Sequence, residues 1–217
     1  MPSVDFTEIE ERLSHYSDHI GEAFGDHVLN PHYKNDTPLR PAAVLLSLIK
    51  REGGATVLFT RRTDHLEHHP GQISFPGGHV DDSDDSPQMT ALRETQEECG
   101  IDPANIKIIG RVNTYLTGTG FSVTPIVGII TPPFDMSPDP IEVAEIFEVP
   151  LAFIMDPNNH QRETRVFDGD LTWYTYAMPY NDYHIWGITA GILRNFYEIV
   201  SGEKIEMLTP AEKDTVI

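Results

Sequence analysis

Residues 86–101 can fold into little other than a short helix with a crowded acidic end. Ser86 is a good N-cap, Pro87 suits the first helical position, and Gly100 stands where a left-handed residue closes a helix. About three turns are bracketed in this way. On them Glu94, Glu97 and Glu98 fall at i, i+3 and i+4, so their carboxylates share one face. Like charges at that spacing each cost a few tenths of a kcal/mol, and acids in a last turn oppose the helix dipole by roughly 0.3–1 kcal/mol apiece. Local stability would favour Lys or Arg there. A hard divalent cation such as Mg²⁺ or Mn²⁺ takes carboxylate oxygens and removes the repulsion. Arg93, four residues before Glu97, can steady that carboxylate from the side.

A glutamate-rich helix face taken alone fits a merely solvated surface. What points further is the run ahead of it, Phe75-Pro76-Gly77-Gly78, which leads from a short strand into an acidic loop. Glycines lack a Cβ, so a backbone carbonyl there can approach the same cation.

The rest of the chain supplies the scaffold. Its 217 residues suit one domain with an added terminal element. Phe6, Ile9, Leu13 and Ile20 recur at helical spacing, which predicts an amphipathic N-terminal helix lying on the domain. Strands are expected over 42–49 and 56–60, joined as a hairpin through Gly53-Gly54, and again over 106–112, 121–131 and 171–178. A closing helix is expected from Gly187 to its stop at Gly202. The expected boundaries are 1–36 for the helix and connector, 37–205 for the domain and 206–217 for a tail. Strands and helices interleave without a strict βαβ period, so the expected class is α/β, or α+β in some schemes, with a mixed sheet sandwiched between helices.

Charge excludes some partners. A formal net charge of -19 repels nucleic acid and anionic membrane over most of the surface, although bound cations could still admit an anionic small molecule. The single cysteine, Cys99, permits no intrachain disulfide. The N-terminal stretch lacks the pattern of a signal peptide and no apolar run reaches membrane-spanning length, so a cytoplasmic protein is expected. A homodimer is left open.

Gly78, Arg93, Glu94, Glu97, Glu98, Gly100 and Ile101 together resemble the Nudix box. Two departures stand out. The spacer from Gly78 to Arg93 is one residue longer than the general pattern, with Asp84 or Asp85 where Glu is usual, and Thr95 replaces an apolar residue. The longer spacer is similar to that of the coenzyme A pyrophosphatase branch, whose upstream signature is matched by Leu58, Thr60, Arg62, Gly71, Phe75, Pro76, Gly77 and Gly78. Glu67 stands where that signature has a second Arg, and Thr63 where it has a small residue. Resemblance extends through "GFSVTPIVGII", "EVAEIFEVPL" and "WGITAGILR".

The resemblance implies a Nudix fold and hydrolysis of the pyrophosphate bond in a small-molecule nucleoside diphosphate derivative. Glu94, Glu97, Glu98 and the Gly78 carbonyl would hold Mg²⁺ or Mn²⁺. The catalytic set would be Glu94, Glu98, Arg93 and Glu142, with Glu94 the first choice for general base and Glu142, ahead of a strand, the second. Arg62, Gly71, Phe75, Tyr115 and Phe121 would contact substrate, Arg62 meeting phosphate charge and the rings of Tyr115 and Phe121 being placed to stack on an adenine or to pack. Coenzyme A or its thioesters would give 3′,5′-adenosine bisphosphate and 4′-phosphopantetheine or its acyl form. Glu67 keeps ADP-ribose or a dinucleotide open as the substrate, and a Nudix-like binding module without turnover is a third reading. His65, His68, His69 and His79 match no common zinc spacing, and Cys99 is expected to turn inward with Met89 and Leu92.

Overall fold

The two longest apolar runs become the centre of a mixed sheet in the computed structural model, which describes residues 5–17, 24–32, 38–66, 69–167 and 171–205. Glu67, His68, Ile20 and the expected tail lie outside the described residues. In chain order the elements begin with α1 (Phe6–Ser17), β1 (Phe24–Gly25), α2 (Asp26–Leu29), β2 (Arg40–Ile49) and β3 (Thr56–Arg62). They continue with β4 (Ile73–Ser74), β5 (Gly77–His79), α3 (Pro87–Cys99), β6 (Ile106–Arg111), β7 (Tyr115–Leu116) and β8 (Phe121–Ile130). The last are β9 (Val143–Pro150), α4 (Leu151–Ile154), β10 (Gln161–Phe167), β11 (Leu171–Tyr180), β12 (Tyr183–Trp186) and α5 (Ile188–Ser201).

Strands β2 and β8 run parallel in unbroken register from Arg40↔Phe121 to Ile49↔Ile130. Around them most pairings are antiparallel: β3 with β2 through the Gly53-Gly54 turn, β4 and β9 with β3, β6 and β7 with β8, and β5 with β2, while short β1 joins β7 in parallel. Both faces of the central pair are covered, which is why its strands read as near-continuous apolar runs. On β2, Leu46 and Leu48 enter a large core with Ile9 and Leu13 of α1 and with Ile192, Leu193 and Phe196 of α5. Ala43 and Leu45 point the other way, against Ala91 of α3. The sheet is therefore sandwiched between helices, as expected, and the acidic helix has one face of it to itself.

A separate sheet, β10-β11-β12, packs beside α5. Strand β11 covers the expected segment, whereas β10 and β12 were not legible. The sequence of β10, "QRETRVF", is too polar to announce a strand and makes its pairs with β11 on one side only. Among the described residues no helix is long and apolar enough to cross a membrane.

Candidate active site

Local chemistry sets the acidic helix where the sequence puts it. The Ser86 hydroxyl accepts from the Met89 amide at 3.3 Å, Pro87 follows, and Gly100 closes α3 at φ 68° with its amide donating to the Gln96 carbonyl. Thr90, Ala91, Thr95 and Glu98 make the buried face. The polar substitution at Thr95 is harmless because its hydroxyl donates back to the Ala91 carbonyl at 2.7 Å. Cys99 is fully buried among Ile49, Leu58, Ile101 and Ile130, and burial pushes its thiol pKa above the usual range, so it is no nucleophile. Met89 departs from expectation. It lies half a turn from the buried Ala91 and is 43% exposed.

The three acids divide their surroundings. Glu98 is only 5% exposed, and its Oε2 is buried with no hydrogen-bond partner. Burial, then the charge of Glu94, pushes its pKa up to about 8; Glu142 adds to the rise, while Arg62 and the Gly77 amide oppose it. Glu94 is partly buried and raised by that burial, against the pull of Arg93. Glu97 stands in solvent with 58% of its side chain exposed. A Cβ on Gly78 would overlap the Glu94 carboxylate where it stands, so glycine leaves that carboxylate its room beside β5.

Arg93 organises this corner. Its Nε and Nη2 meet both oxygens of Asp84 at 3.2 and 2.9 Å, Nη2 also donates to the His79 carbonyl, and Nη1 reaches Glu94 at 2.9 Å and Glu97 at 3.0 Å. Of the two spacer acids it is Asp84 that is engaged, and the Arg93 guanidinium holds its carboxyl below the usual carboxylate range. Among the described residues no three His, Cys, Asp or Glu side chains are already gathered as a metal cage. Of the four histidines, His68 lies outside the described residues, and His79 packs edge-on to Phe121.

Glu142 reaches the same place from a different element. The Ser137 amide donates to the Cys99 carbonyl at 2.8 Å and the Asp139 amide to the Glu98 carbonyl at 3.0 Å, which ties the loop before β9 to the end of α3. From the other side Thr63 donates through its amide to the Glu142 carbonyl and through its hydroxyl to the Ile141 carbonyl. The loop acid, Glu94, Glu98, Gly78, Arg62, Arg93 and Phe121 all line one chamber of about 680 Å³. The Arg62 Nε is buried there without a partner. Arg40 lies over the Phe121 ring at 4.2 Å, and both line this chamber.

Other expected substrate contacts fare differently. Phe75 is 2% exposed, stacks on Phe59 and lines an adjoining chamber. Gly71, at φ 67°, makes the turn that presents His69 and Gln72 to that chamber and lines neither chamber itself. Tyr115 corrects the expectation. Strand β7 pairs with β8, the ring is 2% exposed and packed against Gly191, and its hydroxyl donates to Asp26 at 2.7 Å, so it belongs to the core. His69 and Thr119, which line both chambers, were not singled out as substrate contacts, because no local pattern distinguishes them.

A NUDIX domain family model matches residues 38–177. The chain is 42% identical over 160 residues to the uncharacterized Nudix hydrolase NudL of Enterobacter sp. (strain 638), a match covering 71% of this chain and 80% of that protein. NudL of Escherichia coli (strain K12) is 41% identical over 159 residues with the same coverage. Among solved structures, a Caenorhabditis elegans Ap4A hydrolase binary complex is similar at 24% identity and TM-score 0.45, over 51% of this chain and 80% of that one.

Proposed function

The chain belongs to the Nudix family, and from that premise we propose that it cleaves the pyrophosphate bond of coenzyme A or its thioesters, releasing 3′,5′-adenosine bisphosphate and 4′-phosphopantetheine or its acyl form. It is a Nudix pyrophosphohydrolase, and enzymes of this kind act on small-molecule diphosphates. The observation that carries the site assignment is the partnerless, buried Oε2 of Glu98 beside Glu94 and the Cβ-free Gly78. Support for the narrower substrate is the resemblance in sequence: the lengthened spacer before Arg93 and the upstream run through Arg62, Gly71 and Phe75 to Gly78.

Nudix hydrolases generally use divalent metal ions, and the residues here fit one. Mutually repelling carboxylates, one of them with an orphaned oxygen, are what a hard cation relieves. Glu94, Glu97, Glu98 and the Gly78 carbonyl would hold Mg²⁺ or Mn²⁺, which would supply positive charge against the diphosphate and make a water molecule more acidic.

The remaining work falls to the chain. Glu94 takes a proton from the water, with Glu142 the second choice for that step. The water oxygen bonds to phosphorus as the bridging P–O bond breaks, and the bridge oxygen leaves on the product phosphate. Arg62 meets charge that spreads over the phosphoryl oxygens. Arg93 keeps Glu94 and Glu97 in place through Asp84. Purified protein with Mg²⁺ or Mn²⁺ should hydrolyse coenzyme A at a higher kcat/KM than ADP-ribose or NADH, with products identified by mass and activity lost to chelator. The opposite ranking removes the coenzyme A reading and leaves the pyrophosphohydrolase.

A further inference from the structure

Behind Arg62 a second chamber of about 470 Å³ joins the first, the two sharing Arg62, His69, Gly77 and Thr119. It forms where β4 and the approach to β5 meet the small sheet and the start of α5. The walls are mainly hydrocarbon and indole: Ile73, Phe75, Ile188, Ile192, Trp173 and Trp186. Several polar groups along them are already paired. The Thr189 hydroxyl donates to the Ile73 carbonyl, the Ser74 hydroxyl pairs with Thr60, and both Asp26 oxygens accept, from the Tyr115 hydroxyl and the Gly118 amide. The Arg165 guanidinium lies over the Trp186 ring at 3.5 Å.

We infer that this chamber receives the uncharged, hydrocarbon-bearing arm of the diphosphate substrate, and that the nucleotide stays on the Arg40–Phe121 side. The inference rests on the reading that the diphosphate is cut between α3 and Arg62. Ribose hydroxyls follow the phosphate on one arm of coenzyme A, and a quaternary carbon with two methyls, then a hydroxyl and two amides, follows it on the other. Ribose hydroxyls entering beside Phe75 and Val44 would give up water against hydrocarbon, whereas the two methyls gain by burial there and the polar groups farther along that arm can meet Gln72 on the same wall.

The chain has two tryptophans, Trp173 and Trp186, and both line this chamber, so intrinsic fluorescence reports its occupancy without turnover. The full chain, in chelator, is titrated with 4′-phosphopantetheine and separately with 3′,5′-adenosine bisphosphate. A saturable shift is expected with the first alone. Ile188→Asp, which puts a carboxylate on the chamber wall, should weaken that binding at least tenfold, while Ile188→Leu should keep it. A shift from the adenosine bisphosphate that is as large or larger, no shift from either, or binding indifferent to Ile188→Asp in a protein with an unchanged melting curve overturns the inference. The two claims fail separately: cleavage of coenzyme A without the fluorescence shift refutes the chamber, and the shift without cleavage refutes the substrate.

Discussion

The Asp26 carboxylate lies 2.7 Å from the buried Tyr115 hydroxyl, and its second oxygen accepts the Gly118 amide at the same distance. One acid from the segment after α1 thereby fixes both a core ring and the turn that carries Thr119 into the two chambers. Hydrogen bonds to a charged group are worth about 1.5–3 kcal/mol each, part of which an amide can replace. Asp26→Asn should therefore lower unfolding free energy by about 1–3 kcal/mol in denaturant melts and raise KM more than it lowers kcat. An unchanged KM would detach this segment from substrate binding.

Glu98→Gln keeps the volume of the side chain and removes a charge that burial disfavours. Turnover should vanish while circular dichroism and the melting temperature hold or rise. Calorimetric titration with Mn²⁺ should show weaker binding than in the wild type. Glu97→Gln should also abolish turnover, with folding again preserved because that side chain stands in solvent. Retention of most kcat by either variant would refute the metal assignment.

Arg93→Lys leaves a positive charge and loses the fork that joins Asp84, Glu94 and Glu97. Disturbing a partner that orients metal-binding groups costs roughly 10–100-fold in activity or metal affinity. A kcat loss in that range is expected, and Asp84→Asn should reproduce much of it because it frees the same guanidinium. Steady-state rates for both variants check this; full activity in Arg93→Lys would leave the fork without a role.

Stability should respond to pH through His160, far from the acidic helix. Burial, chiefly, lowers its pKa; one ring nitrogen faces the Ile154 carbonyl at 2.8 Å and the other is buried without a partner. The folded chain thus takes up the proton later than the unfolded chain does. Both are neutral well above the ordinary His pKa of about 6.5, where the folded state keeps its full advantage. As pH falls below that value the unfolded state protonates first and stability drops. Denaturant melts from about pH 7.5 to about pH 5.5 should show a smaller loss in His160→Gln than in the wild type. The comparison isolates this ring from groups such as Glu98, whose raised pKa acts in the opposite sense.

The reach of sequence reasoning followed the range of the forces involved. Helix α3 was legible to the residue because Ser86, Pro87 and Gly100 fix its ends through bonds within a few positions. Asp84 could be narrowed only to one of a pair, since choosing it over Asp85 depends on the Arg93 rotamer. The aromatic rings at 115 and 121 looked alike beside a glycine-containing turn. A short pairing and a close approach to Gly191 put Tyr115 inside, while Phe121 stays at the chamber edge. The apolar chamber was not legible at all, because its walls come from segments spanning Asp26 to Ile192 and meet only after the two sheets have packed.

Main-chain hydrogen bonds from Ser137 and Asp139 to the last carbonyls of α3 make helix and loop a single bracket. Glu142 and Glu98 thus hang from one backbone frame, which Thr63 braces from the end of β3 through the Glu142 and Ile141 carbonyls, so their spacing does not depend on contact between the two carboxylates. Ile141 takes part in that frame only through its main chain, its carbonyl accepting from Thr63 and its amide donating to Asp139, while its side chain stands 66% exposed.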